Sequence, residues 1–503
     1  MSLKRYNTPP ARNLKRRHSY TIRGIKILRS ATTLIIFGSL IVVVTFAYIL
    51  LSRPAIYSKH KITSPLLKGP SNTSNANDIH ADDQRSRTFQ HKFKLKHIHR
   101  HGVTPLTSQT HQRLDVNDEF LFQANKLYQE TTESKIQTND ASLLYEQEDM
   151  LWTTNENYST NSPFSFEFNI KSKQITLQRL TDRTPKFIES YLDFAYKSPQ
   201  LASTIELDWN NDDQVIAPDV TDKETIISLA LMSSNAYVQI PQTGDWRNVS
   251  SPWNGSESQD FGWDGNGIRG HVFVNELDNI VVISVKGTSA QGLPGSGIDE
   301  TTVNDKINDN LLFSCCCARV SYLWTTVCDC YVKSYTCDES CLEKELRRKD
   351  RYYNAVIDIY KDVLNQYPNA EIWVTGHSLG GALAALIGRT FGLPAVAFEA
   401  PGEYLAAKRL HLPFPPGLPA YLEGVWHFGH TADPIFMGTC NGASSSCSLV
   451  GYAMETSCHT GRVCVYDVVN DKGWRVNMLN HRIHKVIDEI LTDYDQPAKC
   501  LAP

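Results

Sequence analysis

The residues with the clearest capacity for chemistry stand at Gly376-His377-Ser378-Leu379-Gly380-Gly381. A short apolar run, Ile372-Trp373-Val374-Thr375, leads into the serine, and Leu379 with Ala382, Ala384 and Ala385 leaves it at once as a helix. A serine at such a strand-to-helix turn is held in strained backbone geometry, with its hydroxyl above the sheet edge. Gly376 and Gly380 spare the turn side chains that would strike neighbouring backbone, and the alanines let the helix approach closely. The helix N-terminus supplies free N–H groups and positive dipole charge where an oxyanion would develop. The chemistry this implies is nucleophilic attack by Ser378 on an acyl carbon.

A serine nucleophile needs a base, and the base needs an orienting carboxylate. The apolar run Val425-Trp426-His427-Phe428-Gly429 continues into His430-Thr431-Ala432-Asp433-Pro434, so Asp433 lies just past a strand end, where a catalytic acid projects. The histidines downstream are His459, His481 and His484. His481, at a loop-to-helix junction ahead of Ile483, Val486, Ile487 and Ile490, is the preferred base. His484 and His459 stay open, the latter placed in a loop stapled by Cys458 and Cys464. Two N–H donors must meet the oxyanion. One is Leu379, and the other is Thr288 in the loop Lys286-Gly287-Thr288-Ser289, which offers both its N–H and its hydroxyl. This acyl transfer calls for no metal and no organic cofactor.

Elements able to position these groups are legible from Thr221 onward. Thr221-x-x-Glu224 reads as a capping box opening a helix through Ser233. Strands are expected at 271–274 and 279–285, and an apolar stripe marks a helix over 342–365. A strand at 371–375, a helix at 379–391 and strands at 395–398 and 425–428 complete the series. Strands separated by helices imply an α/β domain, here residues 221–503, with a mostly parallel sheet. Residues 111–220 read as an extension in which 164–170 and 175–177 form a hairpin around Lys171-Ser172-Lys173, followed by a helix over 186–197. Residues 53–110 read as a stem, flexible over 71–86. Its run Lys92–His101 alternates basic and apolar residues, which favours the solvated face of a strand over a contact with acidic lipid.

The chain of 503 residues carries 50 Lys+Arg and 54 Asp+Glu, a net charge of −4 that excludes a basic nucleic-acid binder. That average hides an asymmetry. Nine bases and no acid occupy residues 1–29, leaving 41 bases against 54 acids in the remainder. Residues 30–52 carry no charge and are long enough for a single membrane-spanning helix. The preceding bases would keep the N-terminus cytosolic and translocate the rest as a type II protein. Sequons at Asn72, Asn157, Asn248 and Asn254 agree with a luminal, glycosylated body. The 12 cysteines all follow residue 314: seven lie within a segment over 315–341, and five lie between 440 and 500. In an oxidising compartment disulfides are favoured over zinc. If every cysteine pairs, two odd sets require a bridge between them, which would tie the 315–341 insertion to the part carrying His481.

Val285-Lys286-Gly287-Thr288, Gly376 to Gly381, Phe398-Glu399-Ala400-Pro401-Gly402 and Asp433-Pro434-Ile435 together resemble the class-3 lipases, of α/β-hydrolase fold, over about residues 222–495. The basic tail with its anchor, Asp309 to Cys317, Gly429 to Pro434 and Cys458-His459-Thr460-Gly461 resemble more closely the fungal vacuolar lipases of autophagy. That resemblance implies Ser378, Asp433 and His481 as the triad, and phospholipid membranes and triacylglycerol as substrates. It also implies passage through the endoplasmic reticulum, Golgi and multivesicular bodies to the vacuole lumen, with lysis of autophagic bodies there. The cysteine-dense insertion departs from the simple helical lid of secreted class-3 lipases. Two alternatives are a general luminal esterase or thioesterase and an inert membrane-tethered binding module.

Overall fold

In this computed structural model, the described residues are 88–102, 110–117, 119–120, 167–237, 247–248, 267–289, 301–314, 326–333, 336–415, 422–440, 445, 447, 451–452, 454 and 456–501. They fall in one compact unit, Asp83–Pro503. The basic tail, the membrane span expected at 30–52, Asn72, Asn157, Asn254 and Cys315–Cys317 lie outside them. Among the described residues, no helix is long and apolar enough to cross a membrane.

The chain forms β1 (Phe89–Gly102), β2 (Thr110–Asp115), β3 (Glu167–Leu180), helix α1 (Pro185–Lys197), β4 (Trp209–Pro218) and α2 (Lys223–Asn235). It continues through β5 (Arg247–Asn248), β6 (Arg269–Asn275), β7 (Ile280–Val285), α3 (Thr302–Phe313), β8 (Tyr331–Lys333), β9 (Thr336–Cys337), α4 (Glu339–Leu346) and α5 (Tyr352–Gln366). The last part comprises β10 (Glu371–His377), α6 (Leu379–Phe391), β11 (Ala395–Phe398), α7 (Tyr404–Arg409), β12 (Val425–His430), β13 (Arg462–Tyr466) and β14 (Cys500–Leu501). Short helical turns at Met478–His481, Ile483–Val486 and Ile487–Leu491 precede β14.

The main sheet runs β14-β13-β12-β11-β10-β7-β6-β1-β2-β5, with β3 added to β1 and β4 to β3. Only the block from β7 through β10, β11 and β12 to β13 is parallel, and the other pairings are antiparallel. The expected mostly parallel sheet is therefore half of a mixed one. Parallel strands buried on both faces read as continuous apolar runs, and β7 is buried at every position. Val281, Ile283, Val374 and Ala397 join the core beneath α5 and α6, whereas Val282, Trp373, Val396 and Phe398 join the core beneath α2 and the C-terminal turns.

The described structure revises several expectations. Residues 89–102 are a sheet strand rather than stem, and the boundary placed at 110 has no counterpart in the fold. Lys92 and Lys94 are exposed beside buried Phe93 and Leu95, as a half-solvated strand requires. A register shift between Leu95 and His97 then turns His97, His99 and His101 into the interior. Of the hairpin expected over 164–177, the described part, 167–177, is one uninterrupted strand, β3. Lys171-Ser172-Lys173 has neither Gly nor Pro, and the strand's hydrogen-bonded register continues through it. Ser172 is buried against His91, while Lys171 and Lys173 reach Asp222 and Asp219. The cap of α2 is Asp222, whose carboxylate accepts from the Thr225 N–H, and Thr221 bonds Asp219 instead. The single helix expected over 342–365 is broken at Arg347–Arg351 into α4 and α5.

Cys330–Cys341, Cys440–Cys447 and Cys464–Cys500 are bonded, and Cys458 is an exposed free thiol. The C-terminal cysteines thus close two bridges among themselves and leave one over. Cys464 pairs with Cys500 beyond His459 while Cys458 stays free, so parity no longer demands a tether to the 315–341 insertion. Asn248 lies in β5, opposite Gln112.

Candidate active site

β10 ends at His377, and Ser378 takes φ 57° and ψ −128° before α6 begins at Leu379. A β-carbon on Gly380 would stand 2.1 Å from the Val285 carbonyl oxygen, and one on Gly376 would stand 2.5 Å from the Gly380 backbone. Glycine at both positions is what lets the turn close over β7. Leu379 is the first residue of α6, so its N–H has no acceptor within the helix.

Three side chains distant in sequence meet here. His481 Nε2 lies 2.8 Å from Ser378 Oγ, and its Nδ1 lies 2.7 Å from Asp433 Oδ2. The second Asp433 oxygen accepts the Ile435 N–H at 2.9 Å. Asp433 is fully buried, while Ser378 is 6% exposed. Burial alone would raise the Asp433 carboxyl, but the charge of His481 and the hydrogen bond to it prevail and hold it at about 2. His481 closes a single helical turn, Met478–His481, rather than opening a longer helix. His484 belongs to the next turn. His459 is buried against Glu403 and the Phe436 carbonyl, so Glu403, not a disulfide, holds it.

Two supporting groups escaped the sequence analysis. His377 accepts or donates at Nδ1 with the Tyr237 hydroxyl at 2.7 Å, and its Nε2 lies 2.8 Å from the His481 carbonyl. It therefore holds the base by its backbone. Glu399 follows β11 with φ 45°, an uncommon angle for a residue other than glycine. Its carboxyl is fully buried and is pushed well upward, first by burial and then by the charge of Asp433, to which it hydrogen-bonds. The two carboxyls are thus shifted in opposite directions, Glu399 up and Asp433 down. An acid directly after a strand end, the same signal that selected Asp433, was present in Phe398-Glu399-Ala400-Pro401.

The loop after β7 packs on the turn: a β-carbon on Gly287 would lie 2.3 Å from the His377 carbonyl. The Thr288 hydroxyl donates to Asp309 Oδ2 at 2.5 Å, so the expected hydroxyl donor is engaged elsewhere and only the Thr288 N–H remains for an oxyanion. Beside it, the buried Lys286 ammonium reaches Asp305 and Thr301.

Burial, with the charge of Asp305 adding to it, pushes Asp309 up to about 8. Folded Asp309 therefore holds a proton that the unfolded chain releases above the ordinary carboxyl range, and its own contribution to stability should fall as pH rises from about 4 to 8. Asp309→Asn should remove roughly a few kcal/mol of that decline. Urea midpoints at pH 4, 6 and 8 test this, and parallel pH trends in the two proteins would count against it.

A strained strand-to-helix serine on a parallel block, facing a histidine and an acid from later segments, defines the α/β-hydrolase class of fold. The family model described as lipase (class 3) matches residues 303–391. "Putative lipase ATG15" of Saccharomyces cerevisiae strain YJM789 is 70% identical over 411 residues, covering 82% of this chain and 77% of that one. The Kluyveromyces lactis protein of the same description is 60% identical, covering 85% and 79%. The chain belongs to this ATG15 family of lipases. Among solved structures, Lip2 lipase from Yarrowia lipolytica matches at 19% identity and a TM-score of 0.23, covering 43% of this chain and 74% of that one.

Proposed function

We propose that the protein is a serine carboxylic ester hydrolase acting on phospholipids and triacylglycerol at a membrane surface. The observation carrying this reading is the unbroken hydrogen-bonded chain from Ser378 through His481 to Asp433, at 2.8 and 2.7 Å. His481 Nε2 takes the Ser378 proton as Oγ attacks the ester carbonyl carbon. Asp433 holds the Nδ1 hydrogen and stabilises the imidazolium. The oxyanion is received by the N–H groups of Leu379 and Thr288. Collapse expels the alcohol, protonated by His481, and water then releases the fatty acid by the reverse relay.

The family's lipase descriptions support a lipid substrate, and the 23 uncharged residues over 30–52 support an anchor that keeps the enzyme at a bilayer. In this reading the N-terminus is cytosolic, and the body travels through the endoplasmic reticulum, Golgi and multivesicular bodies to the vacuole lumen. There it breaks down autophagic bodies and intravacuolar vesicles. Sequons at Asn72, Asn157, Asn248 and Asn254 would carry glycans on the luminal side.

Hydrolysis of phosphatidylcholine vesicles and triacylglycerol emulsions, compared with a short soluble ester at pH 5 and pH 7, tests the substrate class. Faster turnover is expected at the lipid surface. Turnover of the soluble ester alone would favour the general esterase reading.

A further inference from the structure

Away from Ser378, three side chains that metals favour converge inside the protein. Glu403, just before α7, His427 in β12 and His459 in the loop before β13 are all buried. One ligand atom from each lies within 4.8 Å of the other two. His459 Nδ1 stands 3.3 Å from Glu403 Oε2, and His427 Nε2 stands 3.2 Å from Oε1.

The outer atoms of the cluster are already committed. The Thr460 N–H and hydroxyl both donate to Glu403 Oε1, at 2.7 and 2.6 Å. His459 Nε2 faces the Phe436 carbonyl at 3.3 Å, which can only accept, so the ring hydrogen belongs on Nε2. The other ring nitrogen, Nδ1, faces the Glu403 carboxylate at 3.3 Å. Neither ring nitrogen of fully buried His427 makes an aligned hydrogen bond, although Glu403 and Thr460 lie beside it. A carboxylate and two imidazoles thus converge on one enclosed point, with His427 left without an aligned hydrogen-bond partner there, and a bound cation would satisfy all three. Histidine ligands whose far N–H meets a backbone carbonyl, with a carboxylate itself hydrogen-bonded from outside, are the usual surroundings of a bound metal. Two imidazoles and one carboxylate suit zinc and similar divalent ions.

We propose that Glu403 Oε2, His427 Nε2 and His459 Nδ1 bind a divalent transition-metal ion of the zinc type. The ion would cross-link the loop after β11, strand β12 and the loop before β13. Phe436, three residues beyond Asp433, stacks on His459 with ring centroids 4.8 Å apart. The site therefore backs the loop carrying Asp433 and is structural, separate from the acyl-transfer chemistry.

The test uses the full chain, purified in detergent and passed over a weak chelator. Elemental mass spectrometry should find about one transition-metal ion per chain in wild type and equally in Ser378→Ala, and at least a tenfold drop in Glu403→Gln. If that variant does not fold, wild type decides: a strong chelator should lower its melting temperature, and added Zn²⁺ should restore it. Metal far below one equivalent together with a melting temperature indifferent to chelator and Zn²⁺ would overturn the site. So would zinc bound equally by folded Glu403→Gln.

Discussion

Ser378→Ala is expected to lower kcat for ester hydrolysis by about 10⁶ while leaving the melting temperature near that of wild type. The loss follows from removing the atom that attacks: Ser378 Oγ is the group bonded to His481 Nε2 at 2.8 Å. Stability should hold because alanine keeps the β-carbon, so the strain at φ 57° is the same in both proteins. Among the described residues, the hydroxyl bonds a histidine already held by Asp433 and, through its carbonyl, by His377. Kinetics on phospholipid vesicles, a thermal melt and labelling by a fluorophosphonate probe give three readings of one variant. Wild-type turnover in a folded variant would exclude Ser378 as the nucleophile.

Asp433→Asn should cost about 10⁴ in kcat, a larger effect than its near-identical shape suggests. The reason lies in two of the carboxylate's contacts. Oδ1 accepts the Ile435 N–H and Oδ2 accepts from His481 Nδ1. An asparagine has a single oxygen. If the Ile435 N–H claims it, the amide NH₂ faces Nδ1, and the imidazole must move its hydrogen to Nε2. That nitrogen then points a hydrogen at Ser378 and cannot accept one. The opposite amide orientation preserves the tautomer but sets two N–H groups against each other at Ile435 and supplies no negative charge for the imidazolium. Steady-state kinetics with a matched thermal melt measure the effect, and a loss smaller than tenfold would remove Asp433 from the relay.

How much of this was legible in the sequence depends on the distance over which each feature is determined. The strands at 371–377, 395–398 and 425–430 and the helix at 379–391 appear close to where their apolar patterns put them. A strand buried on both faces, or a helix buried on one, writes its surroundings into its own residues. Lys92–His101 shows where that fails. Alternation revealed a strand, but nothing local revealed that β6, β2 and β3 would pair with it and make it part of the catalytic sheet. Likewise β3 was read as two strands because its lysines resemble a turn, although their partners Asp219 and Asp222 lie more than forty residues away. The cysteine count was a valid constraint on a fully paired set, but Cys458 remains unpaired, so the constraint did not apply.

The sequence by itself determined the candidate nucleophile and its turn. Gly376, Ser378 and Gly380 act through contacts within a few residues and with one adjoining strand, so spacing alone is informative. It also narrowed the acid to a strand end and the base to three histidines. Only the tertiary structure decided that His481 closes the relay and that His459 packs on Glu403. It also revealed Glu399 as a buried neighbour of Asp433 and showed that Thr288 spends its hydroxyl on Asp309. These choices join residues tens to more than a hundred positions apart, and they are made by burial and hydrogen-bond satisfaction inside a packed core. No local pattern encodes which of several suitable side chains will be brought within 3 Å.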